Sequence, residues 1–164
     1  MKGLLALTAL FTGLIAGLFF AYSFSVVPGL GRLSDEAYLR AMQSINRAIQ
    51  NPFFFTPFFA ALLLLPLSAA RAGDAGKKRL LRAGAVVYTG GVMAVTIFGN
   101  VPLNNTVEAM QLQNMSLPEL RAQRLAFEDP WNRLNLVRTL CASAAFTLVL
   151  LACLRQQVPA RKSL

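Results

Sequence analysis

Three residues near the end of the chain carry the spacing most suggestive of chemistry: Trp131, Asn135 and Arg138. Separated by four and three positions, they share one face of a helix, and at about 1.5 Å of rise per residue Arg138 sits roughly 10 Å deeper than Trp131. Arg138 is the single charge in the apolar run Leu134 to Leu154. If that run crosses a bilayer, the arginine costs about 2 to 3 kcal/mol unless it faces other helices or snorkels outward. It therefore needs an anionic or carbonyl partner, for which Glu108 is the nearest acid and the carbonyls of the Pro102 turn are the other candidates. Asn100, Asn104 and Asn105 precede Glu108, and Asn46, Arg47 and Asn51 fall before another apolar run. Two readings of this set stand side by side. In one, the groups satisfy one another at a broken helix end, with Trp131 as an interfacial anchor. In the other they line a pocket floored by Arg138, with Asn51, Asn100 and Trp131 on its walls and Phe54, Phe58 and Tyr22 as aromatic lining.

Other chemistry is absent by residue type. The chain has no histidine, which removes His-ligated haem and the common His-containing zinc, copper and iron sites. Its two cysteines, Cys141 and Cys153, lie twelve positions apart in one apolar run, roughly 18 Å along a helix and too far for a mutual disulfide. No metal site is expected.

The elements that must position these residues are read from hydrophobic length. Of 164 residues 55% are hydrophobic and 14% charged, outside the range of ordinary soluble domains. A formal charge of +9 would suit nucleic acid if it formed a face, but the basic residues fall in loops, so no nucleic-acid partner is expected. Leu4 to Val27 is long enough to cross the roughly 30 Å hydrocarbon core and too long for a signal peptide. With it, the runs at about 53–70, 83–100 and 134–154 predict an all-α bundle of four transmembrane helices in a single integral membrane domain spanning 1–164. Placing the amino terminus, the Arg71 to Arg82 loop and the tail from Arg155 on one side puts a net +8 there against zero in the other two loops. By the positive-inside rule both termini are cytoplasmic, in what is expected to be a bacterial inner membrane.

The two outer loops predict short amphipathic helices. Ser34 with Asp35 and Glu36 forms a helix start, after which Tyr38, Met42, Ile45 and Ile49 recur at helical spacing, as in a helix lying on the membrane surface. Ser116-Leu117-Pro118-Glu119 is a capping box opening a second helix toward Phe127. Either could lid a pocket beneath it. Ala9, Gly13, Gly17, Ala21 and Ser25 form a small-residue stripe on the first span, suited to close packing against a helix of the same chain or of a second copy.

Pro102-Leu103-Asn104 after the third span, the Trp131, Asn135, Arg138 pattern and the glycine-rich aromatic first span ending near Pro28 resemble the anthrone-oxygenase-like membrane proteins. The resemblance runs over nearly the whole chain. It implies a small four-helix membrane enzyme that oxidises a lipophilic phenol or quinol with dioxygen, as fungal relatives convert anthrones to anthraquinones without metal or flavin. In such a scheme Arg138, Asn104 and Asn135 would stabilise a delocalised oxyanion in a dry site, and Glu108 would serve as base. The resemblance thus implies no cofactor, and as partners a bilayer and a lipophilic aromatic molecule or quinone. A non-catalytic binder of a quinone, lipid or small amphiphile, and an assembly subunit using the small-residue stripe, are the competing readings.

Overall fold

The structure, a computed structural model, describes residues 2–155 and is helical with no strand among them. Four helices are long and apolar enough to cross a membrane: α1 (Lys2–Leu30), α3 (Pro52–Arg71), α4 (Ala75–Glu108) and α5 (Leu117–Leu154). The amphipathic α2 (Asp35–Ile49) lies between α1 and α3. Helix α1 packs on α3 and α5, and α4 packs on the same two, so the four helices form a ring with α3 diagonally opposite α5. Leu10, Leu63, Val86, Phe98 and Leu140 are among the many large apolar side chains left exposed on the outside. In water such a surface would aggregate, whereas against acyl chains it is the expected one.

The helices outrun the apolar runs that reveal them. Helix α4 starts at Ala75 rather than near 83, because Asp74 caps it, its Oδ1 accepting from the Lys77 amide at 2.8 Å. The basic residues from Lys77 to Arg82 are therefore helical, and the link from α3 shrinks to Ala72–Asp74. The capping box at Ser116 forms, with the Glu119 carboxylate accepting from the Ser116 amide at 2.7 Å. It opens α5 itself and not a separate helix, since the chain runs through Pro130 into the fourth span. At 38 residues, α5 is about 57 Å long against a hydrocarbon core of about 30 Å. The tail beyond Arg155, with its basic residues, lies outside the described residues.

That overhang changes the role of α2. Its stripe does not rest on lipid but is buried on protein, with Leu39 and Met42 inaccessible and Tyr38 edge-on to Phe127 of α5. These side chains form a second core with Val107, Leu112, Leu120 and Trp131. Arg124 ties α1 and α2 to it, donating to the Gly31 carbonyl at 3.0 Å, the Leu33 carbonyl at 2.7 Å and Asp35 at 3.1 Å. The guanidinium also lies 4.5 Å from the Tyr38 ring centroid.

The half of the bundle away from α2 is close-packed around Ile15, Leu65, Leu81, Val149 and Ala152. Its buried hydroxyls are paired: Thr8 and Ser68 share a hydrogen bond of 2.8 Å between α1 and α3. Gly91 brings α4 against α5, where any side chain would overlap Cys141. Of the small-residue stripe on α1, Gly13 faces Phe146 of α5, while Gly17 meets nothing.

Candidate functional site

Toward α2 the regular geometry ends. Helix α1 widens to π form over Tyr22–Val26, and α4 does so over Thr89–Ala94 and Thr96–Asn100. Such segments interrupt the i→i+4 ladder and recur at functional sites. Here they flank a cavity of about 340 Å³ that lies between the four long helices and is covered by the last turns of α2. Its lining is mainly apolar, with Phe19, Phe54, Phe58 and Met93 among the side chains and Arg138, Asn135 and Asn104 as convergent polar groups.

Arg138 is buried on α5 and no carboxylate contacts it among the described residues. Its Nη2 donates to Asn135 Oδ1 at 2.7 Å, its Nη1 reaches Thr96 Oγ1 at 3.4 Å, and its Nε has no partner. The guanidinium lies 4.7 Å from the ring centroid of Phe19 and 5.5 Å from that of Trp131. Aromatic faces and neutral oxygens offset part of the desolvation, but they leave the positive charge uncompensated in a site of low dielectric.

The surrounding polar groups hold one another. Asn135 Nδ2 donates to Ser23 Oγ at 2.8 Å; Ser23 shares a 2.7 Å bond with Thr139, which donates to the Asn135 and Phe19 carbonyls. This chain fixes Asn135 so that its oxygen points at Arg138 and locks α1 to α5. Trp131 Nε1 donates to Asn104 Oδ1 at 2.7 Å, and Tyr22 stacks obliquely on the indole with 5.3 Å between ring centroids. The polar groups thus bond to each other and also line a cavity.

Asn104, Trp131, Asn135, Arg138, Tyr22, Phe54 and Phe58 come together there. Three residues expected with them do not line it. Glu108 lies in the final turn of α4 and pairs at 2.8 Å with Arg47 of α2 on the exposed side. It is therefore neither the partner of Arg138 nor a base for a ligand beside it. Asn51 is spent on capping α3, its Oδ1 accepting from the Phe54 amide at 3.1 Å and its Nδ2 donating to the Ala48 carbonyl at 2.7 Å. Asn100 is buried against α5, with its Nδ2 3.4 Å from the Trp131 carbonyl.

Asn46 and Thr96 line the cavity without having been singled out as site residues. The signal for Asn46 was present: it follows Met42 by four positions, so an amide occupies the buried stripe of an amphipathic helix. It is indeed buried, with its Nδ2 lacking a partner. Thr96 gave no such signal, because its facing depends on the π segments beside it.

A family model described as anthrone oxygenase matches residues 40–148. The match contains Asn46, Asn104, Trp131, Asn135 and Arg138 and stops short of α1, so it is narrower than the resemblance read from the sequence. No curated protein and no solved structure matches the chain. Because the matched segment covers well over half of the sequence and holds all the polar residues of the cavity floor, the chain belongs to the anthrone oxygenase family.

Proposed function

We propose that the protein oxidises a lipophilic phenol with dioxygen, holding the substrate as an oxyanion against Arg138. The observation that carries this reading is a buried guanidinium with no carboxylate partner among the described residues, at the floor of an apolar, aromatic-lined cavity. In that setting a fixed cation strongly favours the ionised form of a phenol or enol, because it is already oriented and the apolar side chains around it screen it poorly. Asn135 orients the guanidinium, and Asn104, held by the indole N–H of Trp131, is the second polar group for the ring oxygens.

The chemistry follows from the anion. An anthrone-like substrate loses a proton from its activated CH2 group to water, since no carboxylate lines the cavity among the described residues. The delocalised carbanion gives its electron pair to O2, forming a C–O bond, and protonation yields a hydroperoxide. Loss of water across its C–H and O–O bonds leaves a ketone. One O2 is consumed, one of its atoms entering the product and the other leaving as water. The charge distribution further supports placing the α2 end on the outer face of a bacterial inner membrane, with both termini in the cytoplasm.

The test is O2 uptake by protein in lipid nanodiscs supplied with anthrone. Wild type should consume one O2 per anthraquinone formed, and Arg138→Ala should lose the activity while keeping its helix content and elution profile. Equal rates in wild type, variant and empty nanodiscs would refute the reading. The missing carboxylate favours a second one, a non-catalytic binder of an anionic amphiphile. It predicts a ligand retained in native mass spectrometry, weakened by Asn135→Leu, with no turnover.

A further inference from the structure

The cavity wall is open on one side. Phe55 and Phe59 of α3 and Ile97 and Val101 of α4 all line the cavity, yet they are 39%, 47%, 50% and 39% exposed. Side chains that face both an interior space and the surroundings mark an opening, and these four bound it from two adjacent helices. Its cause lies in how α3 meets α4. Their packing is concentrated on Ala75–Tyr88, where Leu65 sits against Gly84, and it ends with Tyr88 Oη donating to the Phe58 carbonyl at 2.9 Å. Beyond Tyr88, α4 passes into its π segments and the two helices part. On the far side of the ring the same depth is closed by the Ser23, Asn135 and Thr139 bonds between α1 and α5.

These four side chains are apolar, a polar group, the exposed Asn105, joins the lining only one turn beyond Val101 toward the α2 end, and the exposed belt of Leu63 and Phe98 flanks the gap. The opening therefore faces acyl chains. At the end of the bundle, by contrast, the cavity is covered by Ile45, Asn46 and Ile49 of α2 and by Gln50, which follows that helix.

We infer that the cavity exchanges its ligand sideways with the bilayer, through the gap between α3 and α4, so that the ligand is a lipid-dissolved neutral amphiphile and not a water-borne anion. The inference rests on the reading of the cavity as a phenol site and adds the route and the protonation state on arrival. An ionised phenol would lose its hydration among four apolar side chains with nothing to replace it, whereas the neutral form passes at little cost. The proton is then released only after the oxygen has reached Arg138, and it goes to water at the α2 end, where Asn46 and Gln50 give the cavity its polar rim.

The gap can be narrowed without touching the polar floor. Trp131 is the chain's single tryptophan and lines the cavity, so its fluorescence reports what enters. In nanodiscs, phospholipids brominated on their acyl chains should quench Trp131 in wild type, and much less in the Ile97→Phe, Val101→Phe double variant. Association and dissociation of anthrone, followed by the same signal, should both slow about ten-fold. Phe59→Ala, which widens the gap, should speed both and covers the case in which the double variant fails to fold. Quenching by aqueous iodide but not by brominated chains, or rates that none of these variants changes, would overturn the inference. Failure of the phenol reading looks different: anthrone does not bind, while quenching by brominated chains persists and still responds to the gap variants.

Discussion

The two halves of the bundle are built on opposite principles from the same four helices. Away from α2, regular α-helices meet through Gly84, Leu65, Ala145 and Val149, and the few polar groups are short hydroxyls bonded locally, as Thr12 is to the Thr8 carbonyl at 2.7 Å. Toward α2 the helices bulge, aromatic rings replace small residues, and a guanidinium is buried with no acid beside it among the described residues. The buried polar groups of the first half are the hydroxyls of Thr8, Thr12 and Ser68, whereas the second half buries a charge that packing does not require. A buried charge with no counterion among the described residues is a cost to stability, and its presence is what supports assigning the proposed chemistry to this half.

Substitutions can break or sharpen this contrast. The largest effect belongs to Arg138→Met, which keeps the side-chain bulk and removes the charge. We expect anthrone oxidation to fall by about 10²–10³-fold, the range for loss of an oxyanion donor, while thermal unfolding in detergent moves upward. A variant that loses activity and stability together would show Arg138 to be a structural cation. Gly84→Val tests the other half, since even a Cβ at Gly84 would sit 3.3 Å from Leu65. It should lower stability by about 1–3 kcal/mol in a denaturant titration and leave turnover per folded molecule unchanged. Tyr88→Phe, at the boundary, removes one buried bond and should cost about 1 kcal/mol by the same titration, with faster ligand exchange as α3 loosens from α4. The smallest effect lies in the α3–α4 link. Asp74 is held below the usual carboxylate range, first by the Lys77 amide and then by Arg155. Because its folded pKa is depressed, its contribution is present above the ordinary aspartate value and is lost as pH falls through the folded one. Asp74→Asn should therefore give a small drop in Tm at pH 7 that vanishes in acid.

The packed half was legible because its information is local. Uncharged runs marked the spans, and Ser34 and Ser116 marked helix starts that the structure retains. Where local rules misled, the reason was also local: Lys77, Lys78, Arg79 and Arg82 read as loop, although Asp74 at the cap makes them the first turns of α4. The site half was legible only where spacing on one helix sufficed, as for Trp131, Asn135 and Arg138. Glu108 seemed the natural partner of Arg138 because both end up at the same end of the bundle. Its actual partner, Arg47, is 61 positions away on α2, a pairing set by how that helix lies across the ring. Nor does hydrophobic patterning foretell a π segment, so neither Thr96 beside Arg138 nor the parting of α3 and α4 could be read from it.

The buried arginine also bears on how the chain is made. A span carrying Arg138 enters a bilayer less readily than its neighbours, at a cost of about 2 to 3 kcal/mol for the arginine alone. The groups that receive it, Phe19 on α1 and Thr96 on α4, belong to spans that leave the ribosome earlier. Synthesis order thus presents α5 with a finished receptor for its charge, and the last helix inserts by docking onto protein as much as by dissolving in lipid. The residue that would carry the chemistry thereby ties the last span to the ones made before it, since Phe19 and Thr96 complete the set of contacts that Asn135 begins on α5 itself.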